Sequence, residues 1–401
     1  MFKSALPGFR DFYPQELAER AFIMARWRDV ARRYAFVEYD GPPLEPLDLY
    51  TKKSGDEIVG QLYNFVDKGG RDVALRPEMT PTVARMVAAR ANALRKPVRW
   101  FSMPQLFRYE RQQKGRLREH YQLNVDIFGS SDIAADAELM ACAVDMMRAF
   151  GLTSADVVAR VSDRRILEAF LASLGVPSDA IDGVYGVVDK LERQPAQLSG
   201  EKLAALGVPA DAIERIVTIA DVELEEIQAR LSASPASAWV TEFADFLRYV
   251  ETLLGGDAGW LRVDLSIVRG LAYYTGIVFE LFDRTGEFRA ICGGGRYDSL
   301  LQSLGGADMP ALGFGMGDVV LGELLRGKGL MAAAPAAADY WISGDDEVSL
   351  ERIMREAASL RANGHSVEYA LRPQTLSKQK KAAQASGARS FVTLSNDGTN
   401  G

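Results

Sequence analysis

Apolar residues recur at helical spacing through residues 14–36 (PQELAERAFIMARWRDVARRYAF), and Pro14 stands where a first helical turn tolerates it, so the chain should open on an amphipathic helix. Residues 36–47 have strand character broken by prolines. Between Leu62 and Glu78 two segments, LYNFV and RDVALRPE, flank Asp67-Lys68-Gly69-Gly70 and predict two strands around a turn. A helix is expected over 80–94, with Thr80 preceding Pro81. Next come VRWFSMPQLFRYE, a polar and basic loop from Arg111 to Arg118, and HYQLNVDIFG. Strand, loop and strand make an antiparallel hairpin whose tip can close over a ligand.

A helix over 134–150 and the strand VVARVSD follow. Residues 1–163 therefore form one segment of mixed structure, and 164–254 reads as almost continuous helix broken only by GVPSDA and GVPADA, without obvious chemistry, as a helical insertion would. Strands return over 255–330 in WLRVDLS, AYYTGIVFELFD and FRAICGG, and a glycine-rich, helix-bearing stretch from Gly293 to Leu330 completes this half. The tract MAAAPAAA (331–338) has the composition of a linker. Residues 339–401 alternate strand and helix as a small α/β domain does.

A length of 401 residues at 48% hydrophobic composition agrees with this division into two or three domains. Cys142 and Cys292 are the only cysteines and His120 and His365 the only histidines, which leaves no Cys/His zinc cluster and no disulfide scaffold. No metal site built from protein side chains is expected. Apolar runs stay short of a membrane span, and Pro7 and Gly8 interrupt the start before a signal-peptide core could form, so a cytoplasmic location is expected. The net charge of −7 argues against a surface that is basic all over. Arg85 to Arg118 nevertheless carries ten Lys/Arg against the single acid Glu110, which is either a polyanion site or a solvated face.

Glycine is the first chemical lead. CGGGRYD (292–298) and GFGMGD (313–318) let a backbone come close to a ligand or to a neighbouring strand, and the pattern alone does not choose between the two. The hairpin says more. Arg108, Glu110, Arg111, Lys114, Arg116 and Arg118 can offer guanidinium forks to phosphate, while alternation puts His120, Gln122, Asn124 and Asp126 on one face of the second strand. An exposed strand histidine is an equal reading of His120 at this point.

Three ordered segments, LRPEMTPTVAR (75–85), FRYERQQKGRLREHYQLNVDIFG (107–129) and VRGLAYYTGIVFE (268–280), resemble the histidyl-tRNA synthetase family of class II aminoacyl-tRNA synthetases. The second is similar to the class II motif 2 hairpin, and the third looks like the family's RGLDYY signature; motif 1 would span about Arg33 to Pro46. The resemblance covers Leu6 to about Leu394. It implies an α+β fold: an antiparallel catalytic sheet with a helical insertion and a small C-terminal α/β anticodon-binding domain. It also implies a cytoplasmic homodimer acting on L-histidine, ATP with Mg2+, and tRNA(His).

By the same resemblance Glu78, Met79, Thr80, Arg108, Gln122, Asp126 and Arg269 would hold the histidine, with Tyr273 and Tyr274 beside its ring. Arg108, Glu110, Arg116, His120 and Gln122 would bind ATP, His120 stacking on adenine. Arg108 and Arg269 would be the catalytic arginines, Arg269 on the α-phosphate, and Lys378, Lys380 and Lys381 would meet tRNA. Asp126 stands where bacterial members often carry Glu.

Two positions depart from the family pattern. Ala272 replaces the usual Asp of RGLDYY, and Gly317-Asp318-Val319-Val320 stands where motif 3 reads G-L-E-R, so the expected γ-phosphate arginine is replaced by Val320. That combination resembles a plastid-like branch in which another cation serves. Residues 339–401 also fall short of the usual anticodon module, whose final strand pair is expected to be missing. The nearest rival is a histidine-sensing regulatory subunit of ATP phosphoribosyltransferase, but Arg372 to Arg389 carries five basic residues without an acid and favours tRNA binding. A dinucleotide-dependent enzyme would need its glycine runs in a βαβ unit.

Overall fold

A computed structural model of the chain describes residues 4–51, 59–110, 117–268, 273–332, 338–345 and 347–395. Contacts divide it into two units between Met331 and Ala332. The opening helix runs Pro14–Arg33 and buries Ile23, Trp27, Val30 and Ala31, the apolar stripe that its periodicity predicts.

The first unit is organised by a nine-stranded sheet. Its strands are β1 (Val37–Glu38), β5 (Val98–Ser102), β6 (Gln105–Phe107), β7 (Glu119–Phe128), β8 (Val157–Asp163), β9 (Leu261–Val263), β10 (Ile277–Asp283), β11 (Cys292–Arg296) and β12 (Ala311–Gly317). They lie in the order β1-β5-β7-β12-β11-β10-β8-β9, with β6 also paired to β7. The pairings are antiparallel except for β1 with β5 and β8 with β9. A smaller antiparallel sheet joins β2 (Leu44–Pro46), β4 (Asp72–Leu75) and β3 (Tyr63–Val66).

The prolines explain where the strands break. Residues 36–47 split at Asp40-Gly41-Pro42-Pro43 into β1 and β2, which join different sheets. VRWFSMPQLFRYE breaks at Met103-Pro104, because proline has no N–H to donate, and both halves then pair with β7. The helix expected over 80–94 stops at Arg90 and gives way to turns. The larger correction concerns 293–330, where the glycines belong to two adjacent strands, β11 and β12, and the helix Asp318–Gly327 follows them. Adjacent antiparallel strands are not a βαβ unit, which removes the dinucleotide reading.

Strand alternation separates two environments. Leu123, Val125 and Ile127 of β7, Leu312, Phe314 and Met316 of β12, and Ile277, Phe279 and Leu281 of β10 face a continuous core with the helices Pro14–Arg33, Ile133–Arg148 and Asp318–Gly327. Helices of 164–254, including Arg164–Ser173 and Ser237–Leu253, contribute Leu167, Phe170, Phe243, Phe246 and Val250 to that same core. One buried ion pair crosses it. Arg296 holds Asp136 through Nε at 3.1 Å and through Nη2, and Nη1 donates to Ser130 O at 3.0 Å and Asp298 Oδ1 at 3.1 Å. This ties β11 to the first turn of Ile133–Arg148.

The opposite face is only partly covered. Val83, Ala84 and Val87 of the helix Thr80–Arg90, with Leu300 and Leu301, pack over Val98, Phe128, Val278 and Ala311 at one end. Among the described residues, the remainder borders a cleft above the middle strands.

In the second unit β13 (Tyr340–Gly344) lies between β14 (Val367–Tyr369) and β15 (Ser390–Leu394), all parallel, around a core of Ile342, Ile353, Ala357, Val367 and Leu394. Lys378, Lys380 and Lys381 are exposed on the helix Leu376–Ser386. Among the described residues no helix is long and apolar enough to cross a membrane.

Candidate active site

The open sheet face has a glycine floor. Pairing places Trp100, Asp126, Gly313, Gly295 and Val278 in one row across β5, β7, β12, β11 and β10, and Ser102, Asn124, Gly315, Gly293 and Glu280 in the next. A Cβ on Gly313 would lie 2.2 Å from Asp126 Oδ1 and 2.9 Å from the Tyr297 hydroxyl, and one on Gly315 would lie 2.8 Å from Gln122 Cδ. These glycines therefore make room for polar side chains. Gly294 answers to the other reading of the glycine runs, since its Cβ would meet Gly313 O at 2.4 Å and Phe314 Cβ at 2.5 Å.

Gly313→Ala is accordingly expected to displace the Asp126 carboxylate and lower the binding of whatever that group recognises by about 100-fold, the loss of a charged hydrogen-bond partner. Ligand titration by calorimetry checks it; an unchanged Kd would mean that Asp126 serves packing alone.

At one end of the floor Asp126 accepts a hydrogen bond from the buried Tyr297 hydroxyl. Its Oδ2 is buried without a hydrogen-bond partner among the described residues. Burial pushes the carboxyl up to about 7, against which the Tyr297 hydrogen bond acts. Tyr297 meets Tyr273 edge-on at 5.7 Å and Tyr274 at 6.4 Å between ring centroids, and Tyr273 donates to Glu78 Oε2 at 3.2 Å. Aromatic walls, a tyrosine hydroxyl and two carboxylates around a small space suit a polar ring that carries both N–H donors and a positive amine. Thr80 opens the helix beside them, whereas the Met79 side chain is fully buried, with its sulfur 3.9 Å from Arg76 Nη1.

At the other end Arg108, Glu110, His120 and Gln122 line a cleft with Arg289, Ala290, Val319 and Val320 on its far wall and Gly293, Gly315 and Gly317 in its floor. Arg108 is braced by donating from Nε to Pro77 O at 2.9 Å. His120 is not a solvated strand histidine: burial, with Arg108 and Arg10 adding repulsion, lowers its pKa to about 3, so the ring is neutral at physiological pH. A neutral flat ring beside guanidinium groups suits a nucleobase carrying phosphates.

Under this cleft Arg10 donates to Glu119 at 2.6 Å and to Asp318 at 2.9 Å, and Asp318 also accepts from Tyr121 N at 2.9 Å. Burial raises the Asp318 carboxyl despite Arg10. Asp318 is thus committed to holding the helix Asp318–Gly327 against β7.

The structure brings Glu78, Tyr273, Tyr274 and Asp126 together, and Arg108, Glu110, His120 and Gln122 together, on one sheet face. Arg111, Lys114, Arg116, Arg269 and Ala272 lie outside the described residues. Sequence reasoning missed Tyr297, Arg289 and Arg10. Tyr297 stood inside CGGGRYD, where the glycines drew attention instead.

Residues 8–317 match the family model of histidyl-tRNA synthetase. The chain belongs to this family. A histidine–tRNA ligase of Opitutus terrae is 45% identical over 392 residues, covering 96% of this chain and 89% of the relative. The chloroplastic/mitochondrial histidine–tRNA ligase of Arabidopsis thaliana is 39% identical, covering 96% and 79% respectively. A histidyl-tRNA synthetase structure from Nostoc sp. PCC 7120 has the same fold, with a TM-score of 0.85 at 24% identity, covering 99% of this chain and 92% of that one. A structure from Bacillus halodurans C described as an ATP phosphoribosyltransferase regulatory subunit/histidyl-tRNA synthetase also has this fold, with a TM-score of 0.79 at 21% identity, but the relatives at 45% and 39% identity are ligases. In this chain the glycine floor lies beside a cleft lined by Val319 and Val320.

Proposed function

We propose that this histidine–tRNA ligase seats L-histidine over Asp126 and ATP in the cleft of Arg108 and His120, so that the two meet across Gln122. The observation that carries the reading is the buried Asp126 Oδ2, without a hydrogen-bond partner among the described residues, on the same sheet face as the cationic cleft. The carboxylate accepts from an imidazole N–H, Tyr297 fixes its orientation, and Glu78, braced by Tyr273, faces the ammonium with Thr80. Main-chain atoms of Met79 complete that wall.

Adenine stacks on His120, with Glu110 beside it and Arg108 and Arg116 on phosphate oxygens. The histidine carboxylate oxygen attacks the α-phosphorus in line as the bond to the β-phosphate breaks, leaving histidyl-adenylate and pyrophosphate. Arg269 and Arg108 meet the charge that develops on the phosphorus oxygens, so positioning and electrostatics supply most of the acceleration. The terminal ribose hydroxyl of tRNA(His) then attacks the histidyl carbonyl and AMP departs. Mg2+ enters as part of the nucleotide substrate, bridging triphosphate oxygens.

Lys378, Lys380 and Lys381 are proposed to meet tRNA phosphates; their exposure on one helix supports this. A homodimer is supported by apolar residues left exposed along the sheet edges, Val37 on β1, Leu44 on β2, and Phe65 and Val66 on β3. A cytoplasmic location agrees with two buried cysteines that are not joined in a disulfide.

The test is ATP–pyrophosphate exchange. Exchange that depends on histidine and Mg2+ is expected; histidine binding without exchange at high enzyme concentration would instead make the chain a regulatory paralogue.

A further inference from the structure

Resting on the ligase reading, we propose that Arg289 is the cation that grips the terminal phosphates of ATP and holds pyrophosphate as it forms. A polyphosphate lying between two walls needs positive charge from both. The hairpin wall supplies Arg108, which directly follows β6, but the far wall is built from residues 289–292 and from the start of the helix Asp318–Gly327. That helix offers Val319 and Val320 to the cleft, and its Asp318 is already engaged by Arg10 and Tyr121 N. Among the described lining residues, Arg289 is the cationic side chain of this wall.

Its setting suits the role. Arg289 precedes β11 by three positions and is exposed, so its side chain is reachable, whereas the main chain two residues on is fixed from both sides. Ile291 N donates to Leu281 O at 2.8 Å, and Gly317 N donates to Ile291 O at 3.3 Å. A guanidinium on the segment leading into a fixed strand can present two parallel N–H groups to phosphate oxygens. The floor between the walls, Gly293, Gly315 and Gly317, carries no side chain that would separate Arg289 from a phosphate chain. The positive charge absent at Val320 is thereby supplied from the segment before β11, within the same cleft.

The test compares wild type, Arg289→Ala and Arg289→Lys in ATP–pyrophosphate exchange, and measures competition by pyrophosphate and by AMP. Arg289→Ala is expected to raise the constants for ATP and pyrophosphate about 10- to 100-fold, the loss of one charge-assisted partner, with AMP inhibition and histidine KM unchanged. Arg289→Lys should recover part of the loss, and Val320→Arg placed in the alanine variant should recover it from the other position. Unaltered ATP and pyrophosphate constants, or an equal loss for AMP, would overturn the assignment. Wild-type exchange is the control: its absence strikes the ligase reading, whereas its presence alongside unaltered variant constants strikes Arg289 alone. Because the side chain is exposed, a matching thermal melt shows that the variant is folded.

Discussion

Asp126→Asn is expected to raise the melting temperature of the ligand-free protein above pH 7 while lowering kcat/KM for histidine at least about 100-fold, the value of a charged hydrogen-bond partner. Burial lifts the Asp126 carboxyl from 3.8 to about 7. The folded chain therefore favours the protonated form, and the unfolded chain releases the proton at lower pH. Stability is lost as pH rises through that window, reaching on the order of 4 kcal/mol at its upper end. Asparagine removes the ionisation and keeps an acceptor for Tyr297. The stabilisation should accordingly be large at pH 8 and vanish near pH 4. In wild type, histidine KM should rise as pH falls below about 7, because the protonated carboxyl accepts poorly from a ring N–H, and asparagine should flatten that profile. Melts at several pH values and exchange kinetics read both effects. Equal melting of the two proteins at pH 8 would refute the burial argument, and an unchanged histidine KM would move the ring to another partner.

The second large effect is expected beneath the sheet. Arg296→Ala should cost about 3–5 kcal/mol, because it leaves Asp136 buried without its cation. Burial already pushes the Asp136 carboxyl upward, and the Arg296 contacts oppose that. If the pair rather than the volume of Arg296 is responsible, adding Asp136→Leu to the alanine variant should restore much of the loss. Urea unfolding of the two single variants and the double variant gives the coupling. A single-variant loss below about 1 kcal/mol would show that water reaches Asp136.

The order of helices and strands was legible because periodicity is local. Pro14, Pro81 and the alternation in HYQLNVDIFG mark their own elements. The face shared by His120, Gln122, Asn124 and Asp126 followed from the same local rule. What lay beyond it was register. Gly313 is opposite Asp126 only because β12 pairs with β7, and no pattern within either segment states that pairing. His120 illustrates the same limit: it is half-buried, and beside Arg108 of its own hairpin it meets Arg10, from a segment distant in the chain. Arg289 stood among strand residues of FRAICGG, and its bearing on the cleft required β11 to be placed beside the helix Asp318–Gly327. Tyr297 was hidden in the same way until its hydroxyl met Asp126.

The bare floor of the pocket also bears on how the enzyme could escape an inhibitor. A compound seated on Asp126 and Gln122 lies over Gly313 and Gly315, which have no side chain that substitution could trim. Resistance at these positions would have to come from adding atoms. The first atom added points at the Asp126 carboxylate or the Gln122 amide, the groups assigned to the natural substrates, so a change that evicts the compound also injures the enzyme's own chemistry.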